Sequence, residues 1–258
     1  MKPRIIILLN SIDVNKGGLT HASLRQASTF ADAGYDTQIL TFHYEPSFPI
    51  ICKKLKEMGK VSEKVVIRNM FEELALYTDK DKVNIRKLKV NLSDYEKSYA
   101  ITQRKNYNAY RLYNNGIYEK YIALRDDNTL DFIDYFNENR YRMRRENYNY
   151  YGQVSRVQYF SYEDNKFKQQ VFFDKRGKAI FSFWRESSTG KISRVIHFGS
   201  NNEVISETTG NTVPHKLYWL KSVLNESKSR VMAISDTRST DELLVKLKHS
   251  YTTKALRM

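Results

Sequence analysis

The chain has 258 residues and a formal net charge of +14. This length accommodates one large domain or two smaller ones, and the positive charge favours anionic partners, although many lysine-rich soluble proteins are basic without one. The single cysteine, Cys52, excludes an intramolecular disulfide and a cysteine-based metal site, and we expect no metal or other cofactor.

The chain opens with an α/β pattern. The apolar run IIILL at residues 5–9 is too short to cross a membrane and is typical of a buried strand. A polar loop follows and ends in Gly17 and Gly18, after which residues 19–33 have the apolar spacing of a helix and residues 37–42 that of a second strand. The predicted apolar face of the helix consists of Leu24, Ala27, Phe30 and Ala31.

The N-terminal residues also bear on targeting. The start MKPR resembles the charged region of a signal peptide, but the apolar run behind it ends after five residues. We therefore expect neither a signal peptide nor a membrane anchor. The lone cysteine fits a reducing compartment, so the expected location is the cytoplasm, where basic patches would allow peripheral contact with the inner face of the membrane.

The middle of the chain, from about residue 79 to 210, differs from the N-terminal part in composition and in its apolar pattern. Most of the 19 tyrosines lie here, and short alternating runs follow one another with Asn, Asp and Gly turns between them. The predicted strands are residues 107–113, 117–124, 130–136, 154–162, 167–173, 179–184 and 192–198. Strands at this spacing, joined by such turns, predict an antiparallel meander.

After the meander the pattern returns to α/β. Pro214 opens a helix, and residues 231–234 form a buried strand. Ser239 or Thr240 is the predicted N-cap of a further helix with acidic residues in its first turn. Residues 253–258 are predicted to form a last strand.

Together these patterns predict the fold class α/β. Residues 1–78 and 211–258 form a discontinuous Rossmann-like domain, and an antiparallel β-meander insertion, residues 79–210, interrupts it. The ends of the insertion must lie near each other for the parallel sheet to close. Sheets of this kind bind ligands outside the carboxyl ends of their strands, and this places a candidate site in the loop after the first strand.

The loop ending in Lys16, Gly17 and Gly18 is the first candidate site. A loop between the carboxyl end of a strand and the start of a helix aims backbone N–H groups and the helix dipole at an anion. Glycines let a diphosphate approach the backbone closely, and Lys16 adds charge. The spacing matches neither Walker A nor G-x-G-x-x-G. A tight turn that needs glycine for a positive φ is the open alternative.

A second candidate is the run RYRMRR in the insertion. On a strand, Arg140, Arg142 and Arg144 would share one face, and guanidinium groups bind phosphates bidentately. Such a face could hold a phosphate-bearing polymer much as proteins hold a nucleic-acid backbone. Two alternatives stay open: self-association through the sheet into a homo-oligomer, and a solvated face balanced by Glu138 and Glu146.

A third candidate follows the strand at residues 231–234. Asp236 and Arg238 would lie at the ligand edge of the sheet. The simpler interpretation of this segment is helix capping by Ser239 or Thr240. Contact of Asp236 or Arg238 with the acceptor substrate is the sharper alternative.

Several segments resemble one enzyme family. The sequence DVNKGGLT at residues 13–20, with TFHY at 41–44, resembles the start of a retaining family-4 glycosyltransferase with the GT-B fold. More narrowly, it resembles the teichoic-acid glycosyltransferases, which are poly(glycerol-phosphate) α-glucosyltransferases and poly(ribitol-phosphate) N-acetylglucosaminyltransferases. Related enzymes that glycosylate serine-rich adhesins share this plan. KKLKEMGK at 53–60, the position of the insertion, and ISDTRSTD at 234–241 extend the resemblance along essentially the whole chain.

The resemblance implies a two-domain enzyme with a cleft between two Rossmann-like halves. The N-terminal half meets the acceptor and contacts the donor's diphosphate through Gly17 and Gly18. The other half holds most of the nucleotide sugar and a glutamate motif, E-x7-E. The implied partners are a UDP-sugar as donor substrate and an anionic polyol-phosphate polymer or a glycosylated protein as acceptor, and nucleic acid is not expected.

The sequence departs from this plan because no E-x7-E is placed in a second Rossmann domain. His249 is not equated with the family's cleft histidine, and His21 and His43 are more typical of polar loop and helix residues. Stabilising a departing diphosphate takes several kcal/mol from positioned donors or cations, of which the glycine loop supplies part. We therefore expect no catalytic residue in this chain and no sugar transfer by it alone. The alternatives are a non-catalytic binding or assembly subunit of a glycosyltransferase complex and a polyanion-binding module.

Overall fold

The computed structural model describes residues 2–15, 17–77, 90–227, 229–235 and 238–247. The chain divides into two compact units, one of Met1–Leu74 with Thr212–Met258 and one of Ala75–Asn211. Each unit contains its own sheet. Among the helices of the described ranges, none has the length and apolar character needed to cross a membrane.

The first unit is built on a four-stranded parallel sheet. Numbered along the chain, its strands are β1 (Arg4–Leu9), β2 (Thr37–Thr41), β3 (Val66–Asn69) and β14 (Val231–Ser235). They lie in the order β14-β1-β2-β3, so β1 pairs with both β2 and β14. The strands between β3 and β14 in sequence belong to the other unit.

Helices connect these strands. The described helices are α1 (Gly18–Asp32), α2 (Phe48–Glu57), α3 (Met70–Leu74), α4 (Ser93–Glu96), α5 (Val213–Asn225) and α6 (Arg238–Leu247). α4 belongs to the second unit and the others to the first. Crossover connections between parallel strands place helices on the faces of the sheet, which explains why β1 and β2 are almost wholly buried.

The core of the first unit includes α1 and α2. Alternate residues of β1 pack with apolar residues of both helices in one cluster, whose members include Ile5, Ile7, Leu9, Leu24, Ala27, Ala31, Phe48, Ile51 and Leu55. Leu24, Ala27 and Ala31 are buried as predicted, whereas Phe30 is only half-buried against the cluster. Ile6 and Leu8 are also buried and point to the opposite face of the sheet, because side chains alternate along a strand.

The helix order places several helix N-termini at one edge of this sheet, among them those of α1, α5 and α6. α1 follows β1 and α6 follows β14, so both begin at the carboxyl edge. α5 leads into β14, which runs parallel to β1, and therefore also begins at that edge. The carboxyl edge is where open α/β sheets bind their ligands.

The second unit is a ten-stranded antiparallel meander. Its strands are β4 (Ala100–Gln103), β5 (Ala109–Asn114), β6 (Ile117–Leu124), β7 (Leu130–Phe136), β8 (Arg142–Tyr148), β9 (Val154–Phe160), β10 (Phe167–Phe173), β11 (Ala179–Arg185), β12 (Ile192–Phe198) and β13 (Val204–Thr209). Each strand pairs with its neighbour in sequence. Leu112, Ile122, Leu130 and Ile133 form a small apolar core on it.

The turns of the meander follow the predicted chemistry. Asn115 and Gly116, between β5 and β6, both have positive φ, at 48° and 83°. A two-residue hairpin turn of this kind suits the right-handed twist of the strands. The predicted strands 117–124, 130–136, 167–173 and 192–198 coincide with β6, β7, β10 and β12.

The main differences from prediction lie at the ends of the chain and of the sheet. β3, at the edge of the parallel sheet, and β4 and β13, the two outermost strands of the meander, were not predicted. The predicted strand at 253–258 lies outside the described residues. The predicted fold class, an α/β domain interrupted by an antiparallel β meander, is confirmed.

Candidate functional site

The loop between β1 and α1 ends in a helix start without a side-chain cap. Gly17 is the N-cap of α1, so the N-cap residue has no side chain that could accept from the first N–H groups, and the first turn contains no acidic residue. Those N–H groups lack intrahelical partners and carry the positive end of the helix dipole. Leu19 is 70% exposed beside them. The arrangement can therefore bind an anion through backbone groups.

Neither glycine of this loop is required by a turn. Gly17 has φ −66° and ψ −176°, and Gly18 is likewise absent from the positive-φ glycines of the described residues. A Cβ built at either position would meet no atom within 4 Å. The alternative of a tight turn that needs a positive φ is therefore wrong. The glycines leave open space, which is what the close approach of a ligand requires.

Hydrogen bonds join the carboxyl ends of three strands beside this loop. The Asn10 carbonyl accepts from the backbone N–H of Phe42 at 3.1 Å and of His43 at 2.8 Å. The Asn69 side-chain amide donates to the Thr41 hydroxyl at 2.9 Å and to the His43 carbonyl at 2.8 Å. The ends of β1, β2 and β3 thus form one connected edge.

A lysine anchors the loop itself. The Lys60 ammonium donates to the Val14 carbonyl at 2.7 Å, three residues before Gly17. Lys60 is held in turn by its own N–H, which bonds to the Leu55 carbonyl at the end of α2. Lys60 belongs to the basic run KKLKEMGK, so one of the charges predicted there serves to position the glycine loop.

The segment between β14 and α6 is only partly described. Asp236 and Lys16, both predicted to contact ligand, lie outside the described residues. Arg238 is exposed at the first position of α6, on the ligand edge as predicted. The structure brings Arg238, Gly17 and Gly18 to the same edge of one sheet.

The predicted capping role of Ser239 or Thr240 is wrong. α6 begins at Arg238, so both residues lie inside its first turn. The buried Thr240 hydroxyl instead bonds to the Ser235 hydroxyl at 2.6 Å and to the Leu8 carbonyl at 3.4 Å. Thr240 therefore joins α6 to the ends of β14 and β1, a long-range contact that sequence spacing does not reveal.

The first turns of α5 add residues that sequence reasoning missed. The Trp219 ring packs edge-on against Phe42 at 5.4 Å, and its indole N–H donates to Glu73 at 3.0 Å. The Lys216 ammonium lies 5.8 Å from the centre of the Phe42 ring. Burial lowers the pKa of Lys216, and the Glu242 carboxylate partly opposes this shift. The sequence did contain a signal for Lys216. Helix N-termini favour acidic residues, so a lysine in the first turn of an apolar helix is unusual.

The arginine run of the insertion does not form the predicted single face. Arg142 pairs with Phe136 across the sheet and Arg144 with the adjacent Tyr135, so Met143 is an extra residue in a β-bulge. The bulge shifts the alternation and brings Arg142 to the side of Arg145. The predicted grouping of Arg142 with Arg144 on one face is therefore wrong.

These arginines also have partners within the sheet. Arg145 donates two hydrogen bonds of 2.7 Å to the buried Asp134, and Arg142 reaches the same carboxylate at 3.4 Å. Arg144 pairs with Glu146 at 2.9 Å. Arg140, by contrast, is exposed in the turn before β8, with φ 63°.

The aromatic groups around Arg144 are partly buried. The Arg144 guanidinium lies 4.3 Å from the centre of the Tyr135 ring. Burial, together with the hydrogen bond to Glu146, raises the pKa of Tyr135 to about 12. This cluster is built as part of the sheet, so its charges are only partly free to meet a ligand.

Comparisons with known proteins identify relatives of the whole chain. The chain is 26% identical over 231 residues to the poly(ribitol-phosphate) α-N-acetylglucosaminyltransferase of Staphylococcus aureus, covering 89% of this chain and 45% of that protein. It is 21% identical over 254 residues to the poly(glycerol-phosphate) α-glucosyltransferase of Bacillus subtilis, covering 92% and 35%. It thus spans less than half the length of these relatives. No protein-family model matches the chain.

A solved structure shows the same fold. A variant of S. aureus TarM, crystallised in complex with fondaparinux, α-GlcNAc-glycerol and UDP, superposes with a TM-score of 0.74 at 22% identity. The alignment covers 99% of this chain and 50% of that one. The chain shares its fold with the matched half of this GT-B glycosyltransferase, and the resemblance inferred from the glycine loop, the insertion and the segment after β14 is confirmed: the homologues of this chain are teichoic-acid glycosyltransferases.

Proposed function

We propose that this chain is the N-terminal, acceptor-side half of a glycosyltransferase that moves a sugar from a UDP-sugar to a cell-wall teichoic acid or a related acceptor. The proposed location is the cytoplasm, where basic patches would allow peripheral contact with the inner face of the membrane. The two curated relatives support the polyol-phosphate acceptor, because their names specify poly(ribitol-phosphate) and poly(glycerol-phosphate).

The observation that carries this proposal is the open space at Gly17 and Gly18. No turn geometry requires these glycines, and no atom lies where their Cβ atoms would be. The uncapped N-terminus of α1 directs backbone N–H groups into that space. A diphosphate is the group that such a site suits, since it carries the charge that the helix start favours and needs close access to the backbone.

Sugar transfer needs more than this loop provides. A departing nucleoside diphosphate develops charge that positioned cations or hydrogen-bond donors must stabilise, at several kcal/mol for an efficient reaction. The helix start and Arg238 provide part of that stabilisation at this edge. We propose that these 258 residues bind the diphosphate weakly and do not turn over UDP-sugar by themselves.

The insertion is the proposed acceptor-binding and self-association surface. Arg140 is exposed and open to a phosphate of the acceptor, whereas Arg142 and Arg144 are bonded to carboxylates of the sheet. In the described part of the sheet, β4 and β13 each pair on one side only, and Val204 and Ile205 are exposed on β13. An unpaired strand edge of this kind can pair with another chain.

Binding experiments test the proposal. The chain is titrated with UDP, UMP and ADP, and separately with poly(glycerol phosphate) and poly(ribitol phosphate), using amide NMR shifts to detect weak complexes. We expect UDP to bind more tightly than UMP, because only UDP carries the second phosphate. If the chain binds a polyol phosphate but does not bind UDP, the result would favour a non-catalytic assembly subunit instead. Normal turnover of UDP-glucose or UDP-GlcNAc by the 258 residues would contradict the proposed inactivity.

A further inference from the structure

Lys216 is a partly buried cation that has no carboxylate partner at ion-pair distance in the described residues. It lies one turn before Trp219 on α5, with its ammonium near the Phe42 ring. Glu242, whose charge acts on Lys216, is itself paired with Lys246 at 2.8 Å. Burying an ammonium group without a counter-charge costs free energy, so its position calls for an explanation.

Other partly buried cations of the same unit are matched. Arg68 bonds to two carboxylates, and Arg4 pairs with Asp36. Lys60 donates to a backbone carbonyl. Against these, the contact of Lys216 with Phe42 is weak compensation, because 5.8 Å is close to the limit at which a cation gains from a ring face.

The position of Lys216 relates it to the glycine loop. α5 begins at the carboxyl edge of the parallel sheet, and Lys216 is in its first turn. Phe42, which the ammonium approaches, is the residue whose N–H bonds to Asn10 at the end of β1. Lys216 and the start of α1 thus flank the same strand ends from α5 and from the loop after β1.

We propose that Lys216 binds a phosphoryl group at this edge, either the donor's diphosphate or a phosphate of the polyol-phosphate acceptor. The inference rests on the proposed function, since it names a further residue of that site. A bound phosphoryl oxygen supplies the counter-charge that the described residues do not, and a lysine is well suited to meet it as a point charge. Trp219 and Glu73 hold the helix turn that carries it.

The test compares charge, length and position. Lys216→Met keeps the aliphatic length and removes the charge, Lys216→Arg keeps the charge, and Lys221→Met removes an exposed lysine from the same helix. The whole 258-residue chain is titrated by NMR with inorganic pyrophosphate, with UDP and with a glycerol-phosphate oligomer. Thermal melting establishes that each variant is folded.

We expect Lys216→Met to weaken binding of the phosphoryl ligand by about tenfold or more, as loss of a charged hydrogen bond does. Lys216→Arg and Lys221→Met should stay within about threefold of the parent. Loss for UDP but not the oligomer assigns the donor phosphate, and the reverse assigns the acceptor. Equal affinity of Lys216→Met and the parent for all three ligands overturns the inference.

The same titrations separate this inference from the proposed function. If Gly17→Val weakens UDP binding while Lys216→Met does not weaken binding of any ligand, the lysine assignment fails and the function stands. If pyrophosphate binds in a Lys216-dependent way but neither UDP nor the oligomer binds, Lys216 is a phosphoryl-binding residue, but its assignment to donor or acceptor is wrong and the function fails.

Discussion

Arg68 in β3 and Glu226 after α5 form a two-point ion pair, although 158 positions separate them in the chain. The two Nη atoms of Arg68 donate to the Glu226 carboxylate at 2.7 and 2.9 Å. The same guanidinium bonds to Glu73, which also accepts from the Trp219 indole. The pair joins the stretch before the insertion to the stretch after it, within the first unit.

Removing the shared cation should destabilise the first unit. We expect Arg68→Met to lower the free energy of unfolding by about 2 kcal/mol, because it leaves Glu73 partly buried without its counter-charge. Glu226→Gln should cost less than about 1 kcal/mol, because that carboxylate is half-exposed. Urea denaturation followed by tryptophan fluorescence measures both. Equal losses for the two variants would show that burial does not govern this pair.

Lys60 should act on ligand binding through the position of the glycine loop. In Lys60→Met the Val14 carbonyl loses its 2.7 Å hydrogen bond, and the loop before Gly17 gains freedom that ligand binding must then remove. We expect UDP affinity to fall about threefold to tenfold. Lys53→Met is the control, since Lys53 is exposed and, among the residues that the structure describes, pairs only with its helix neighbour Glu57 at 3.6 Å. Similar UDP affinities for the two variants would refute the positioning role.

The arginines of the insertion should separate into a binding and a structural group. Arg140→Gln is expected to weaken poly(glycerol phosphate) binding about twofold at low salt and leave thermal stability unchanged, because Arg140 is exposed. Asp134→Asn should lower the free energy of unfolding by about 2 kcal/mol or more, because it removes the negative charge of a buried carboxylate that is bonded to two arginines. Heparin or polyol-phosphate affinity columns and thermal melting measure these effects. A stability loss in Arg140→Gln comparable with that of Asp134→Asn would contradict the division.

His197 should make the insertion sensitive to mild acid. Burial against Phe181 lowers the pKa of His197 below its ordinary 6.5, so between these values the unfolded chain binds more protons than the folded one. The free energy of unfolding therefore falls as the pH decreases from about 6.5. Asp174 is a carboxylate whose pKa is lowered in the folded chain. It affects the free energy of unfolding only in more acidic solution, below its ordinary pKa of 3.8.

The matching experiment is a pH series of urea denaturation curves. His197→Gln should flatten the decline that begins near pH 6.5, and His43→Gln, at an exposed position, should retain it. The stability loss at more acidic pH should persist in both variants because it comes from the carboxylates. A pH profile of His197→Gln that matches the parent would exclude His197 as its source.

Local patterns were sufficient to predict much of this fold. The strand at β1, the helix at α1 and the Asn-Gly hairpin between β5 and β6 each have a strong local signal. The position of Gly17 and Gly18 at a strand-to-helix junction followed from the same signals. Their open surroundings did not, because space around a backbone depends on atoms from other elements.

The failures have a common physical cause in long-range packing. The bulge at Met143 moves Arg142 away from Arg144, and nothing in RYRMRR marks the extra residue. Thr240 looks like a cap because its hydroxyl could serve one, but Ser235 and Leu8 compete for that hydroxyl in the fold. Lys216 was not predicted as a site residue, because the ring that its ammonium approaches, Phe42, is far away in sequence.

The most direct test of the glycosyltransferase proposal is the UDP affinity of Gly17→Val and Gly18→Val beside Ala22→Val. Ala22 is exposed on α1, so its variant adds the same methyl groups to the same helix away from the open space. All three variants should fold and melt like the parent, because no atom lies within 4 Å of a Cβ added at Gly17 or Gly18 and because Ala22 is exposed. We predict that UDP binding weakens at least about tenfold in both glycine variants and is unchanged in Ala22→Val. Unchanged UDP affinity in folded Gly17→Val and Gly18→Val would contradict the diphosphate site.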